Sequence, residues 1–487
     1  MDPGMSLRGT RAKGVLHWAL ACALLATASL FACTVDDVLD GKPCGPDGEC
    51  APGYECVQEP CGDGYLCSVC RANPQPPDDG GGEPDAGTDG GDEVGGDGDG
   101  GDGEADGSPP CDPVPPPCKL LPDCTDTPPE CVDGTWVCDT GFEIAETRCD
   151  GLDNDCDGSI DEALVCTLAG DGTAGFADGE AAAARFSEPR GLCAHPSGGV
   201  VVGDRANHAI RLVAADGSTS TLAGTGEPGA DEGPGDQARF HEPCGVCPAL
   251  DGAVLVADSG NHRIRRIDAL GEVSCLAGSG FTGFLDGPAE QARFTLPEGV
   301  AASADGRVFV ADTGNDCIRL VSGGQVSTWA GQCQSPGTAD GDRATAQFHG
   351  PTDLLLLEDG ALLVSEQGSH RIRLVSADGE LVSTLAGSGV YDDLDGPLAT
   401  AAFKRPAGLL AEAGGLSYLA ADYGNRIRRI DPAGDQVSTA IGSGEPGFVS
   451  GPPESARFLH PSGLARLGDG RLVIADTHNH ALRVVNP

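Results

Sequence analysis

Residues 292–322 read Ala292-Arg-Phe294-Thr-Leu-Pro297-Glu-Gly299-Val-Ala-Ala-Ser-Ala-Asp-Gly306-Arg-Val308-Phe-Val-Ala-Asp312-Thr-Gly-Asn315-Asp-Cys317-Ile-Arg319-Leu-Val-Ser322. Two β-branched and aliphatic runs, Val308-Phe-Val-Ala and Cys317-Ile-Arg-Leu-Val, are separated by a turn-forming Thr-Gly-Asn stretch. The same order recurs on both sides. The phenylalanine falls at Phe186, Phe240, Phe294, Phe348, Phe403 and Phe458, with spacings of 54, 54, 54, 55 and 55. Each is followed by Pro-x-Gly or a variant, from Pro189-Arg-Gly191 to Pro461-Ser-Gly463, with Pro351-Thr-Asp353 the exception. Next come an apolar run, a version of Asn-His-Arg-Ile-Arg, and Val-Ser-Thr-Leu-Ala-Gly. Residues 164–487 thus hold six copies of one unit.

Each copy carries four short runs rich in Val, Ile and Leu, divided by Gly, Asp-Gly or Asn turns, which predicts four antiparallel strands. Four strands in a unit of about 40–55 residues describe a propeller blade. The fold class expected is all-β, a six-bladed propeller over 164–487, because six blades in a ring bury faces that one blade exposes. The ends agree. The sixth copy stops at its third strand, Leu482-Arg-Val-Val-Asn-Pro487, while Leu164-Val-Cys-Thr-Leu-Ala-Gly170 matches an unused fourth strand. Residues 164–170 are expected to complete the last blade and remove two open edges.

These residues resemble the NHL repeat family, and the Thr-Leu-Ala-Gly-x-Gly…Asp-Gly…Ala-Arg-Phe…Pro-x-Gly-Val version is similar to NHL propellers of teneurin type. The resemblance spans the 324 residues 164–487. It implies a six-bladed propeller whose loops and central channel meet proteins, peptides, glycans or nucleic acid. A minority of related propellers are enzymes, including metal-dependent lyases and lactonases, so an enzyme of that kind acting at the channel is the alternative to a binding or scaffold module.

Charge narrows the partners. The 487 residues include 75 acidic and 30 basic side chains, a net of −45, which disfavours nucleic acid because a phosphate-binding surface must be basic. Twenty-two cysteines point to an oxidising compartment. At the amino terminus Arg8, Arg11 and Lys13 precede the apolar run Val15 to Phe31. That run is short for a membrane span and reads as a cleaved signal over 1–32. Its end, Leu30-Phe31-Ala32-Cys33, resembles a bacterial lipobox. The resemblance implies a diacylglycerol on Cys33, a spacer at 33–43, and a membrane partner through the lipid. By the sorting rule that the lipoprotein resemblance implies, Thr34 and Val35 carry no acidic retention signal, so the cell envelope is expected, at the outer membrane or cell surface.

Between anchor and propeller the composition changes three times. Residues 44–70 contain Cys44, Cys50, Cys56, Cys61, Cys67 and Cys70, too short a stretch for a core, so three disulfides are expected with 15 connectivities open. Of the 40 residues in 71–110, 31 are Gly, Pro, Asp or Glu, a composition that stays an extended, disordered linker. Residues 111–163 form a second cysteine-rich segment that ends in Cys149-Asp-Gly-Leu-Asp153-Asn-Asp155-Cys156-Asp157-Gly158-Ser-Ile-Asp161-Glu162.

Carboxylates at alternate positions can converge on one cation, and all-oxygen ligation favours Ca²⁺. Asp153, Asp155, Asp157, Asp161 and Glu162 are the ligand candidates for a structural calcium. The twelfth position is Leu164, which departs from an EF-hand. The stretch resembles thrombospondin type 3 loops and, more closely, the Cys-Asp-Gly-x-Asp-Asn-Asp-Cys-Asp-Gly metal-binding motif of bacterial surface proteins. A Cys149–Cys156 disulfide is expected to pin it.

Within the propeller, His208, His262, His370 and His480 recur at one repeat position, and Asp204, Asp258, Asp312, Asp422 and Asp476 recur with Arg211, Arg265, Arg319, Arg373, Arg428 and Arg483. Packing and hairpin hydrogen bonds account for the histidines, whose place is taken by Asp316 in copy three and removed by a deletion before Asn425 in copy five. A repeated charge latch accounts for the Asp–Arg pairs. Breaks in the repeat point to a ligand. Between Pro and Gly at the start of each innermost strand stand Arg190, Cys244, Glu298, Thr352, Ala407 and Ser462. With Asp353 and Glu366 in copy four they are expected to set an asymmetric polar mouth, of which Arg190, Glu298, Thr352, Asp353 and Glu366 are the binding candidates. No catalytic residues stand out. Cys317 begins a third strand and Cys333 follows the fourth strand that pairs with it, which predicts a disulfide.

Overall fold

The computed structural model describes Tyr54–Pro60, Leu66–Ala72, Glu130–Val132, Thr135–Val137, Cys149, Asp161 and residues 163–486. The signal segment, Cys33, the linker, and Asp153, Asp155, Asp157 and Glu162 lie outside the described residues. Within 1–104, Tyr54–Pro60 and Leu66–Ala72 pair as a hairpin that sets Cys56 opposite Cys70. Within 105–487, Glu130–Val132 pairs with Thr135–Val137 in a short hairpin, and the strands from Val165 to Val485 form the propeller.

Six sheets of consecutive antiparallel strands surround an axis. Their innermost strands are Pro189–Ala194, Pro243–Pro248, Val300–Ala302, Pro351–Leu356, Pro406–Ala411 and Pro461–Arg466. Blade six is completed as the sequence predicts. Val165–Ala169 pairs antiparallel with Ala481–Val485, Val165 opposite Val485 and Thr167 opposite Arg483. The ring therefore closes through backbone hydrogen bonds between its first and last strands.

Neighbouring blades share six apolar cores. Each is built on one of the fully buried phenylalanines Phe186, Phe240, Phe294, Phe348, Phe403 and Phe458. Above each ring lies a fully buried arginine, as with Arg211 at 5.2 Å from the Phe186 centroid. The burial of six guanidinium groups demands that their charge be paired, which the terminal nitrogens achieve, while Nε of Arg211, Arg265, Arg319, Arg373 and Arg428 has no partner. Arg211 donates to Asp204 Oδ2 at 2.7 Å, to the carbonyls of Arg185 and Ala177, and to Asp178 Oδ1 at 2.6 Å. Asp178 belongs to the repeated Asp-Gly turn, and it also accepts the Thr221 N–H. One arginine thus ties the loop before each blade to that blade's second strand. Burial pushes the Asp204 carboxyl up to about 6 against the pull of Arg211, Asn207 and the Ser187 N–H.

Glycine is required where the innermost strands close on the axis. A Cβ on Gly191 would run into the Cys244 carbonyl, and one on Gly463 into the Arg190 carbonyl. Blade four alone places a side chain there, Asp353. Its Oδ2 accepts the N–H of Leu409 from blade five at 2.8 Å, so the carboxylate replaces direct backbone approach at that seam.

Two disulfides are described. Cys317–Cys333 forms as expected, joining the start of the third strand of blade three to the segment that follows its fourth strand. Cys149 pairs with Cys166, which corrects the expected Cys149–Cys156 bridge. Cys166 sits on the strand that closes the ring, so the bond fixes the end of the cysteine-rich segment to blade six. Asn486 reinforces it by donating to the Asp161 carbonyl at 3.0 Å. Cys193, Cys244, Cys247 and Cys275 are free thiols.

Candidate functional site

The second strand of each blade ends in the buried acid, and a short turn then leads into the third strand. In blades one, two, three and six the turn is a single 3₁₀ segment whose asparagine donates to that acid, as Asn315 does to Asp312 Oδ2 at 2.9 Å. The next residue is left-handed: His208 at φ 53°, His262 at 55°, Asp316 at 54°, His480 at 50°. This conformation aims the side chain across the seam. Nδ1 of His208 accepts the Glu242 N–H at 3.1 Å, His262 that of Leu296 at 3.2 Å, and His480 that of Glu188 at 3.2 Å. Asp316 makes the same bond to Gly350 at 2.9 Å through Oδ1. Asn425 makes it to His460 at 3.0 Å.

The repeated histidines are therefore staples between blades, not only within hairpins, and the Asn425 bond corrects the inference that copy five lacks the position. The deletion shortens the turn, and Asp393 fills the gap by pairing with Arg428 at 3.0 Å. His370 departs from the pattern, its ring packing edge-on to Tyr391.

The axis is where the blades differ. Arg190, Cys244, Glu298, Thr352, Ala407 and Ser462 all line one cavity of about 50 Å³, together with Asp353, Gln367 and Tyr423. Arg190 Nη1 reaches from blade one to Glu298 Oε2 of blade three at 3.1 Å. Arg205 bridges Glu188 and Glu242 at 2.8 and 2.6 Å. Asp353 is pushed up to about 6 by burial, opposed by the N–H groups of Leu409 and Leu354. Burial, with Glu298 nearby, also raises the Cys244 thiol, which keeps it protonated and a poor nucleophile. Two buried donors of residues lining this cavity, Arg190 Nε and Gln367 Nε2, have no hydrogen-bond partner in the protein, a condition shared by Nε of five latch arginines.

Glu366 does not belong to this cavity. It is fully buried in the latch of blade four, accepting from Arg373 Nη1 at 3.1 Å and the His349 N–H at 2.8 Å. It stands where the other blades carry Asp, which is a reason to expect the latch role. In its place the structure supplies Gln367 and Tyr423, which the sequence reading missed. Both follow the buried acid directly, at a position occupied by Ser259, Thr313 and Thr477 in blades two, three and six. Those hydroxyls donate to the proline carbonyl of the next blade, at 2.5, 2.7 and 2.9 Å. An aligned column reading Arg, Ser, Thr, Gln, Tyr, Thr was the available signal.

A larger groove of about 490 Å³ opens on the outer wall between blades one and two, lined by Phe176, Leu222, Pro234 and Leu270 among others. Among the described residues no group of three or more His, Cys, Asp or Glu is placed to share a metal ion.

A closed six-bladed β-propeller with one asymmetric axial mouth is the class this fold and site define. Residues 186–211, 294–319 and 458–485, in blades one, three and six, match the description "NHL repeat". The chain is similar to Protein SUPPRESSOR OF QUENCHING 1 of Arabidopsis thaliana, 27% identical over 66% of this chain and 27% of that protein. It is also similar to NHL repeat-containing protein 2 of Bos taurus, 27% identical over 60% of this chain and 45% of that one. The chain thus spans less than half the length of these relatives. Among solved structures, an auxiliary nutrient binding protein of Bacteroides thetaiotaomicron superposes with TM-score 0.51 at 15% identity, over 66% of this chain and 75% of that one. Its counterpart from Bacteroides ovatus gives 0.51 at 16%, over 66% and 76%. At these identities the likeness is one of fold.

Proposed function

We propose that the protein is a non-enzymatic binding module of the cell envelope whose propeller recognises a protein, peptide or glycan at the axial mouth. One observation carries the reading: at the axis the six blades set six different residues, Arg190, Cys244, Glu298, Thr352, Ala407 and Ser462, around one cavity. There Arg190 Nε and Gln367 Nε2 lack partners, as Nε does in five latch arginines. Arg190 Nε and Gln367 Nε2 suit carbonyl or hydroxyl oxygens, which peptides and glycans both offer. A buried donor without a partner costs about 1–3 kcal/mol, so a ligand that supplies acceptors recovers that penalty. The names of the Bacteroides neighbours, as nutrient-binding proteins, are in keeping with a ligand-binding role.

Recognition fits the space better than turnover does. A site of about 50 Å³ holds a few waters, whereas small-molecule pockets run to roughly 300–1,000 Å³. A ligand would lay one group into the mouth and rest its bulk on the surrounding loops. A lyase or lactonase would need its whole reacting centre at the axis.

The module's setting follows from the sequence. A lipid on Cys33 would hold the chain at a membrane, the acidic stretch 71–110 would set its reach, and a structural calcium at Asp153, Asp155, Asp157, Asp161 and Glu162 would stiffen the junction at Leu164. The test is crosslinking of the intact protein in its own envelope, beside Cys33→Ser. Partners crosslinked through the propeller and release of the variant to the soluble fraction are expected. Membrane retention of Cys33→Ser would contradict the anchor, and an absence of propeller crosslinks would contradict the binding role.

A further inference from the structure

Outside the axial cavity, blade six carries two histidines that no other blade has at those positions. His460 takes the left-handed position held elsewhere by Glu188, Glu242, Leu296, Gly350 and Arg405. His478 takes the middle of the 3₁₀ turn, where blades one, two and three have Ala206, Gly260 and Gly314. Neither is needed for the fold, since the other blades make the same turns without them. Their Nδ1 atoms lie 2.9 Å apart, with ring centroids at 4.6 Å. Tyr423 stacks flat on His460 at 5.1 Å and fixes its plane. His478 is exposed, so the pair opens to solvent.

We propose that His460 and His478 form a two-nitrogen site for a borderline divalent cation of the Zn²⁺ or Cu²⁺ kind, at the rim of the mouth. Two nitrogens each about 2.0–2.1 Å from a tetrahedral ion stand roughly 3.3 Å apart, so the rings need part by only a few tenths of an ångström. One ring now carries its proton between the two Nδ1 atoms. On binding, that proton moves to Nε2 and both Nδ1 lone pairs face the metal, with waters completing the shell. Burial, first of all, lowers both imidazoles, aided at His460 by His478 and Arg405 and opposed at His478 by Glu188, which favours the neutral, ligating form. The charged groups around the pair are Glu188, Arg190, Arg205 and Arg405. This mostly cationic surrounding opposes any dication, so selection against Ca²⁺ or Mg²⁺ rests on the imidazole donors, which those oxygen-seeking ions bind poorly.

The test is Cu²⁺ and Zn²⁺ titration of the intact protein with excess Ca²⁺ present. The variants are His478→Ala and His460→Leu, each restoring a residue that another blade carries, with His195→Ala as a control. The expected result is a Cu²⁺ electron paramagnetic resonance spectrum with two imidazole nitrogens in wild type and control. Either variant should bind at least tenfold more weakly while melting as wild type does without metal. Unchanged spectra and affinity in both variants, or a wild-type spectrum without paired imidazole nitrogens, would overturn the site.

Discussion

Ser369 Oγ donates to Glu366 Oε2 at 2.5 Å, in the place where Asn315 Nδ2 donates to Asp312 Oδ2 at 2.9 Å. Blade four has lengthened the acid by one methylene and shortened its partner, keeping the latch closed with both residues buried. Glu366→Asp alone should leave the carboxylate short of Ser369, costing about 1–3 kcal/mol for the weakened buried network. Adding Ser369→Asn rebuilds the pair used by blades one, two, three and six and should restore most of the loss. Chemical denaturation of the two singles and the double checks this, and simple additivity would count against a coupled pair.

The seam staples make stability depend on pH. His208, His262 and His480 are lowered by burial in the folded state, and each accepts an N–H at Nδ1, a bond that protonation there removes. The unfolded chain therefore binds protons first as pH falls below about 6.5. The stabilisation is complete above that value and lost as pH drops through the lower folded-state values. Asp204 and Asp476, pushed up to about 6 by burial, act in the opposite sense, so the whole protein's profile mixes the two. The triple variant His208→Asn, His262→Asn, His480→Asn copies the Asn425 staple and removes only the histidine part. Its melting temperature should fall less between pH 7.5 and 5 than the wild type's, each staple contributing about 0.5–1.5 kcal/mol. Parallel curves would show that the histidines do not set the dependence.

The ring was legible from the sequence because a period of 54–55 residues counts blades and because residues 164–170 had no other place to go. The Cys317–Cys333 bond was legible for the same reason, one cysteine opening a hairpin and the other following its end. Periodicity fixes position along a blade but not the direction a departing side chain takes. Glu366 therefore read as a channel residue although its carboxylate turns inward to Arg373, while Gln367, one residue on, reaches the axis. The Cys149 partner was hidden in another way. Cys156 is nearer in sequence, but Cys166 is held by ring closure.

Calcium should stiffen the segment before Leu164. Calorimetry of the intact protein should show calcium-dependent heat, at a dissociation constant in the ~0.1–1 mM range of extracellular modules. At ten times that constant the bound state gains roughly 1.4 kcal/mol by mass action. An Asp155→Ala, Asp157→Ala double variant should lose the heat. Equal binding by the variant would leave the carboxylates as a solvated turn.

The central claim is that the axial mouth is the binding surface. Arg190→Ala and Gln367→Ala remove the two unpaired buried donors of the axial cavity, and neither side chain belongs to the buried latch. The direct measurement is equilibrium binding of the intact protein and both variants to arrays of peptides and glycans. Compounds bound by the wild type should bind each variant at least tenfold more weakly, with melting temperatures little changed. Wild-type affinities in both variants would contradict the account and move the search to another surface.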